Sequence, residues 1–124
     1  MLKRLHAVGA WLAVALGAVH VAFTACAYER FTLGAFWFMG SGFAIVFAGF
    51  VNLIWNRGSR RDALSRWLCY FVNVLTAALF GVGILIIGEP QVFFGLFLFS
   101  FELAAAALVS RREGGAGGES SGAR

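Results

Sequence analysis

Four long stretches without charge set the limits on what this chain can fold into. Residues 5–28 form a run of 24 between Arg4 and Glu29. Residues 31–56 form one of 26 between Arg30 and Arg57, and residues 67–88 one of 22 between Arg66 and Glu89. The fourth, from Pro90 to Ser110, has 21 residues and a single charge, Glu102. A bilayer core needs about 20 apolar residues per helix. One such run fits a buried helix of a water-soluble protein, but four that take up 93 of 124 residues fit a chain that crosses a membrane four times. The runs lack period-2 alternation, and an open sheet edge in lipid would strand its backbone polar groups, so the spans are helices. The predicted fold is an all-α four-helix transmembrane bundle made of two helical hairpins, with spans at about 5–27, 32–55, 65–87 and 91–110.

Composition excludes the alternatives. The chain is 60% hydrophobic and 13% charged, against about 25% charged in ordinary globular domains. Sixteen charged side chains cannot cover a soluble domain of this size, which removes soluble enzymes and disordered tails from consideration. The net charge of +4 does not argue for nucleic acid, because topology accounts for it. Lys3, Arg4, Arg57, Arg60, Arg61, Arg66, Arg111, Arg112 and Arg124 fall on one side of the four crossings, and Arg30 alone on the other. The positive-inside rule makes the first side cytoplasmic, with both termini there and the cell (inner) membrane as the location. Arg57, Arg60, Arg61, Arg66, Arg111 and Arg112 are topology determinants with lipid headgroups as a second use. Trp55, Trp67 and Tyr70 are expected at the inner interface as aromatic anchors, and Tyr28 at the outer one.

Local signals mark the boundaries. Gly88-Glu89-Pro90 ends one helix and starts the next. Ser59 with Asp62 resembles a capping box that begins the third helix. The segment 113–124 is mostly Gly, Ser and Glu and is predicted to be a flexible cytoplasmic tail. The first span has some features of a secretory signal, ending in Ala25-Cys26-Ala27. Its apolar stretch is too long for the usual ~7–15 residue signal core, which favours a retained helix.

The polar residues inside the spans carry the functional information, because an ionisable group at mid-helix costs about 2.5–3.5 kcal/mol to insert. Glu102 is the clearest case and His20 the second. Asn52, Asn73 and Ser41 join them as intramembrane polar candidates. Counted at 1.5 Å per residue from the cytoplasmic ends, Glu102 and Asn73 both lie about 12 Å deep, and His20 and Ser41 about 22 and 21 Å deep. The expected partners are therefore Glu102 with Asn73, and His20 with Ser41, with Asn52 near the cytoplasmic mouth. Gly9, Ala13, Gly17, His20 and Thr24 form one helical stripe, and Gly42, Gly49 and Asn52 another. Small residues on such stripes admit close helix–helix contact, so Gly9, Ala13, Gly17, Gly42 and Gly49 are the predicted packing positions.

Other chemistry is missing. Cys26 and Cys69 fall near opposite faces, too far apart for the ~7 Å separation a disulfide tolerates. No Cys-x-x-Cys occurs, no His/Cys/Asp/Glu set has metal spacing, and no catalytic residues or cofactor are expected. Gly81-x-Gly83 lies in mid-span and is no phosphate loop.

Three functional classes remain. The first is a packing scaffold or accessory subunit, with the lipid bilayer and copies of itself or other membrane proteins as partners. The second is a minimal oligomeric proton-coupled transporter that uses Glu102, with His20 as a further proton site. The third is a subunit of a lipid-modifying membrane enzyme that draws its catalytic groups from another chain. The size and four-span plan resemble the small multidrug resistance transporters in architecture. That family carries its essential carboxylate in the first helix, where this chain has His20, so no residue roles follow from the resemblance.

Overall fold

The computed structural model describes residues 1–58 and 62–119, with side chains as far as Arg111. Four helices follow one another: α1 (Leu2–Ala27), α2 (Leu33–Arg57), α3 (Ala63–Ile86) and α4 (Pro90–Glu119). Each contains a stretch long and apolar enough to cross a bilayer, and no strand occurs among the described residues. The protein is thus an all-α four-helix bundle, each helix long and apolar enough to span a membrane. Contacts between residues 3 and 56, 17 and 42, and 20 and 41 run in opposite directions along α1 and α2, so these helices are antiparallel. Each of the four helices packs against two others, in the ring order α1, α2, α3, α4.

The helix ends follow from local chemistry. Thr32 caps α2 by accepting a hydrogen bond from the Ala35 N–H at 3.2 Å. Asp62 caps α3. Its carboxylate accepts from the backbone N–H groups of Leu64 and Ser65, each at 3.1 Å, and from the Ser65 hydroxyl. The hydroxyl and the two N–H groups stabilise the anion and hold the Asp62 carboxyl below its usual range. Gly88 takes φ +66°, the left-handed conformation that ends a helix, and Pro90 opens α4. Helix α4 continues past Arg112 to Glu119, where sequence composition pointed to a flexible tail from residue 113. Arg111, Arg112 and Glu113 are good helix formers and give no stop signal at the membrane edge. Ser59, Arg60, Arg61 and Arg124, and the side chain of Arg112, lie outside the described residues.

Within each hairpin the fit is steric. A Cβ on Gly17 would lie 2.6 Å from the Gly42 carbonyl oxygen, and one on Gly49 would lie 2.9 Å from the Ala10 carbonyl oxygen. Ala13 and Ala48 are fully buried along the same seam. The α1 and α2 backbones therefore approach closely, as small residues allow in lipid. In the second hairpin the Phe80 ring lies over Gly95 and stacks on Phe99, with centroids 5.9 Å apart. Outward faces are apolar, most of all on α3, which buries only Cys69 and Asn73.

The ring closes around two apolar centres. Ala13, Ile45, Ala48, Leu98 and Phe99 form the first, and Trp55, Cys69, Ala106 and Val109 the second. Trp55 is 1% exposed and so belongs to the core, contrary to its expected place as an interfacial anchor. Trp67, at 69% exposed, keeps a surface position.

Candidate functional site

Helix order places Lys3, Arg4, Arg57, Arg66 and Arg111 at one end of the bundle and Arg30 at the other. Two fully buried polar clusters occupy the half nearer the basic end. Each joins one hairpin to the other.

The first cluster links α2 to α3. Asn52 Nδ2 donates to Asn73 Oδ1 at 3.0 Å, and Asn73 Nδ2 donates to Asn52 Oδ1 at 2.8 Å. Their remaining N–H groups donate to the backbone carbonyls of Ala48 and Cys69, at 2.9 and 2.8 Å. The Cys69 thiol completes the set by donating to Asn52 Oδ1 at 3.3 Å. All four amide N–H donors are engaged, which is what burial of two carboxamides demands. The reciprocal amide ring is neutral and has no proton to exchange in the physiological range.

The second cluster links α1 to α4. Glu102 Oε2 lies 3.2 Å from His6 Nε2, and both side chains are 0% exposed. The other carboxylate oxygen sits over Gly9, in the space a Cβ would fill. The His6 ring in turn packs against the Trp55 indole, centroids 5.0 Å apart. A carboxylate and a neutral imidazole that together take up one proton are neutral overall, whichever of them holds it. That neutrality makes the pair tolerable in a low-dielectric interior, where either charge alone is expensive.

This arrangement corrects the expected pairing. Glu102 meets His6, and Asn73 meets Asn52. The depth count misled because it assumed that all helices start at one level. Asn52 lies five residues before the end of α2, and Asn73 lies ten after the start of α3. Since the two side chains touch, α3 reaches about 7 Å of helix beyond the end of α2. His6 was missed because it lies close to the chain start. A usable signal existed: the stripe Gly9, Ala13, Gly17 extended back by three residues reaches His6, and Gly42, Gly49, Asn52 extended forward by three reaches Trp55.

The remaining candidates divide. His20 and Ser41 do meet, with Ser41 Oγ 3.1 Å from His20 Nε2 and the His20 ring stacked on Phe38 at 3.9 Å. Ser41 is exposed and also donates to the Phe38 carbonyl at 2.7 Å, so this pair lies at the bundle edge. Gly9 makes room for a carboxylate, while Ala13, Gly17, Gly42 and Gly49 line the α1–α2 seam. Arg57, Arg66 and Arg111 are exposed at the basic end. Among the described residues, no group of three His, Cys, Asp or Glu side chains is placed to hold a metal ion. The chain matches no protein-family model, no curated protein and no solved structure.

Proposed function

We propose that the chain is a small inner-membrane protein, with both termini cytoplasmic, that acts as a helix-packing scaffold or accessory subunit of a membrane complex. One observation carries this reading. The buried polar groups of the spans are turned toward one another, Asn52 to Asn73 and His6 to Glu102, while the outer faces are apolar and offer packing surface. The test is recovery of membrane complexes from cells carrying substituted chains. A scaffold keeps its complexes when Glu102→Gln removes the titratable group, and loses them when Gly17→Ile spreads α1 from α2. Loss of the complexes with Glu102→Gln in a bundle of normal helicity sinks the proposal. A reporter fused at Arg124 tests orientation, and periplasmic activity contradicts it.

The His6–Glu102 pair favours a second reading, proton exchange coupled to transport. It is a fully buried acid–base pair, and such groups in membranes are commonly functional. In proteoliposomes with an entrapped pH dye, this reading requires that the chain dissipate an imposed proton gradient and that Glu102→Gln abolish the effect. An equal rate for both chains removes it.

A further inference from the structure

Between α3 and α4, at the basic end, runs an open groove of about 580 Å³ that neither polar cluster uses. Arg66 and Arg111 stand at its mouth, Tyr70 and Ser110 follow, and Val74, Leu103 and Ala107 line its depth. Arg66, Tyr70 and Val74 on α3, and Leu103, Ala107 and Ser110 on α4, step at three- and four-residue intervals, so the groove follows both helix axes. From Arg66 to Val74 it spans about 12 Å. Along that length its lining changes from guanidinium to hydroxyl to hydrocarbon. Tyr70 and Ser110 are already joined across it, Tyr70 Oη donating to Ser110 Oγ at 3.0 Å, which holds the two walls together.

We propose that this groove binds one anionic phospholipid from the leaflet at the basic end. The phosphate would sit between Arg66 and Arg111, the glycerol region beside the Tyr70 and Ser110 hydroxyls, and the start of an acyl chain along Val74, Leu103 and Ala107. Charge complementarity selects this occupant. Two arginines flanking one groove match a phosphate anion, and basic pockets between helices at this membrane level are suited to anionic headgroups. The apolar depth then distinguishes a lipid from a free phosphate, which gains nothing from it. The inference requires only that the helices span the membrane and holds for either functional reading above.

Native mass spectrometry of the full chain, released from detergent with equal amounts of phosphatidylglycerol and phosphatidylcholine, tests it. The expected result is about tenfold preferential retention of the anionic lipid, reduced to near parity by Arg66→Gln with Arg111→Gln. The pair Arg4→Gln with Arg57→Gln removes the same charge from the same end and is expected to keep the preference. If both pairs lose it equally, diffuse charge is responsible and the groove site is overturned. Ala107→Trp fills the groove without changing charge and is expected to reduce retention of the anionic lipid several-fold; unchanged retention overturns the site. Helicity by circular dichroism establishes that each variant is folded. A dimer that Ala107→Trp dissolves, with lipid retention unchanged, identifies a second copy as the occupant and also overturns the proposal.

Discussion

The bundle is held together in two different ways. Within each hairpin, helices fit by shape: glycine against backbone in α1–α2, and a phenylalanine ring over Gly95 in α3–α4. Between the hairpins, at α2–α3 and α1–α4, two fully buried polar links join the apolar centres: the Asn52–Asn73 ring and the His6–Glu102 pair. Shape contacts in lipid cannot draw on a hydrophobic difference, because lipid tails are as apolar as the side chains, so they depend on close approach. Polar links gain from the absence of water, and one of the two can change its charge. The titratable pair lies at the junction between the hairpins, so that is where protonation can act on the fold.

The junction is expected to show the largest single effect. His6→Leu leaves the Glu102 carboxyl buried beside an apolar side chain. Removing one partner of a buried pair costs about 3–5 kcal/mol. The double change His6→Leu with Glu102→Leu is expected to recover most of that loss, because no polar group is then abandoned. Unfolding in mixed micelles by added denaturing detergent, followed by circular dichroism, measures both. A double variant no more stable than His6→Leu alone refutes the pairing.

The hairpin seams come next, and the two differ from each other. Gly17→Ile pushes a branched side chain into the Gly42 carbonyl and the Val46 N–H, which are backbone and cannot rotate away. Overpacking of this kind costs up to about 3 kcal/mol. Gly95→Ala meets the Phe80 ring first, a side chain rather than backbone, and about 1 kcal/mol is expected. If the two cost the same in the micelle assay, the distinction between a backbone seam and a ring contact fails.

These comparisons also show what the sequence made legible. Four helices, their order and the Gly88 turn follow from uncharged runs and one Gly-Glu-Pro step. The small-residue seam was legible as a stripe at helical spacing, because close backbone approach excludes every larger residue type. The partner of Glu102 was not. Which helix faces which in a ring depends on rotation about each axis and on how far each helix extends beyond its neighbours, and neither leaves a mark in a single helix's pattern. His6 and Trp55 sit where a count from the ends assigns membrane interface, yet both are core. Their places on the Gly9 and Gly42 stripes were the better guide.

The neutral link is the weaker of the two polar ones. Asn52→Leu removes the two bonds to Asn73 and the acceptor of the Cys69 thiol. Interhelical hydrogen bonds in membranes average about 0.6 kcal/mol and reach about 1.7. A loss of about 1–2 kcal/mol is expected, unchanged between pH 5 and pH 8 because no member of the ring titrates there. A pH-dependent loss would mean that the amide ring and the His6–Glu102 pair are coupled; Trp55 packs on His6 and shares an apolar cluster with Cys69.

The covalent connection supplies the smallest effect. Asp62 is exposed and caps α3, the first helix of the second hairpin. Its bonds to Ser65 and Leu64 hold its carboxyl below the usual range. A depressed folded-state value means that the cap contributes fully above the unfolded carboxyl's value, about pH 4, and is lost as pH falls through the lower folded value. Asp62→Ala is expected to speed hydrogen exchange at the Leu64 and Ser65 amides at pH 7, compared with the unsubstituted chain at the same pH. At pH 2 the difference between the two chains should shrink, because the protonated cap is the poorer acceptor. An equal difference at both pH values would show that the ionised carboxylate contributes nothing to the cap.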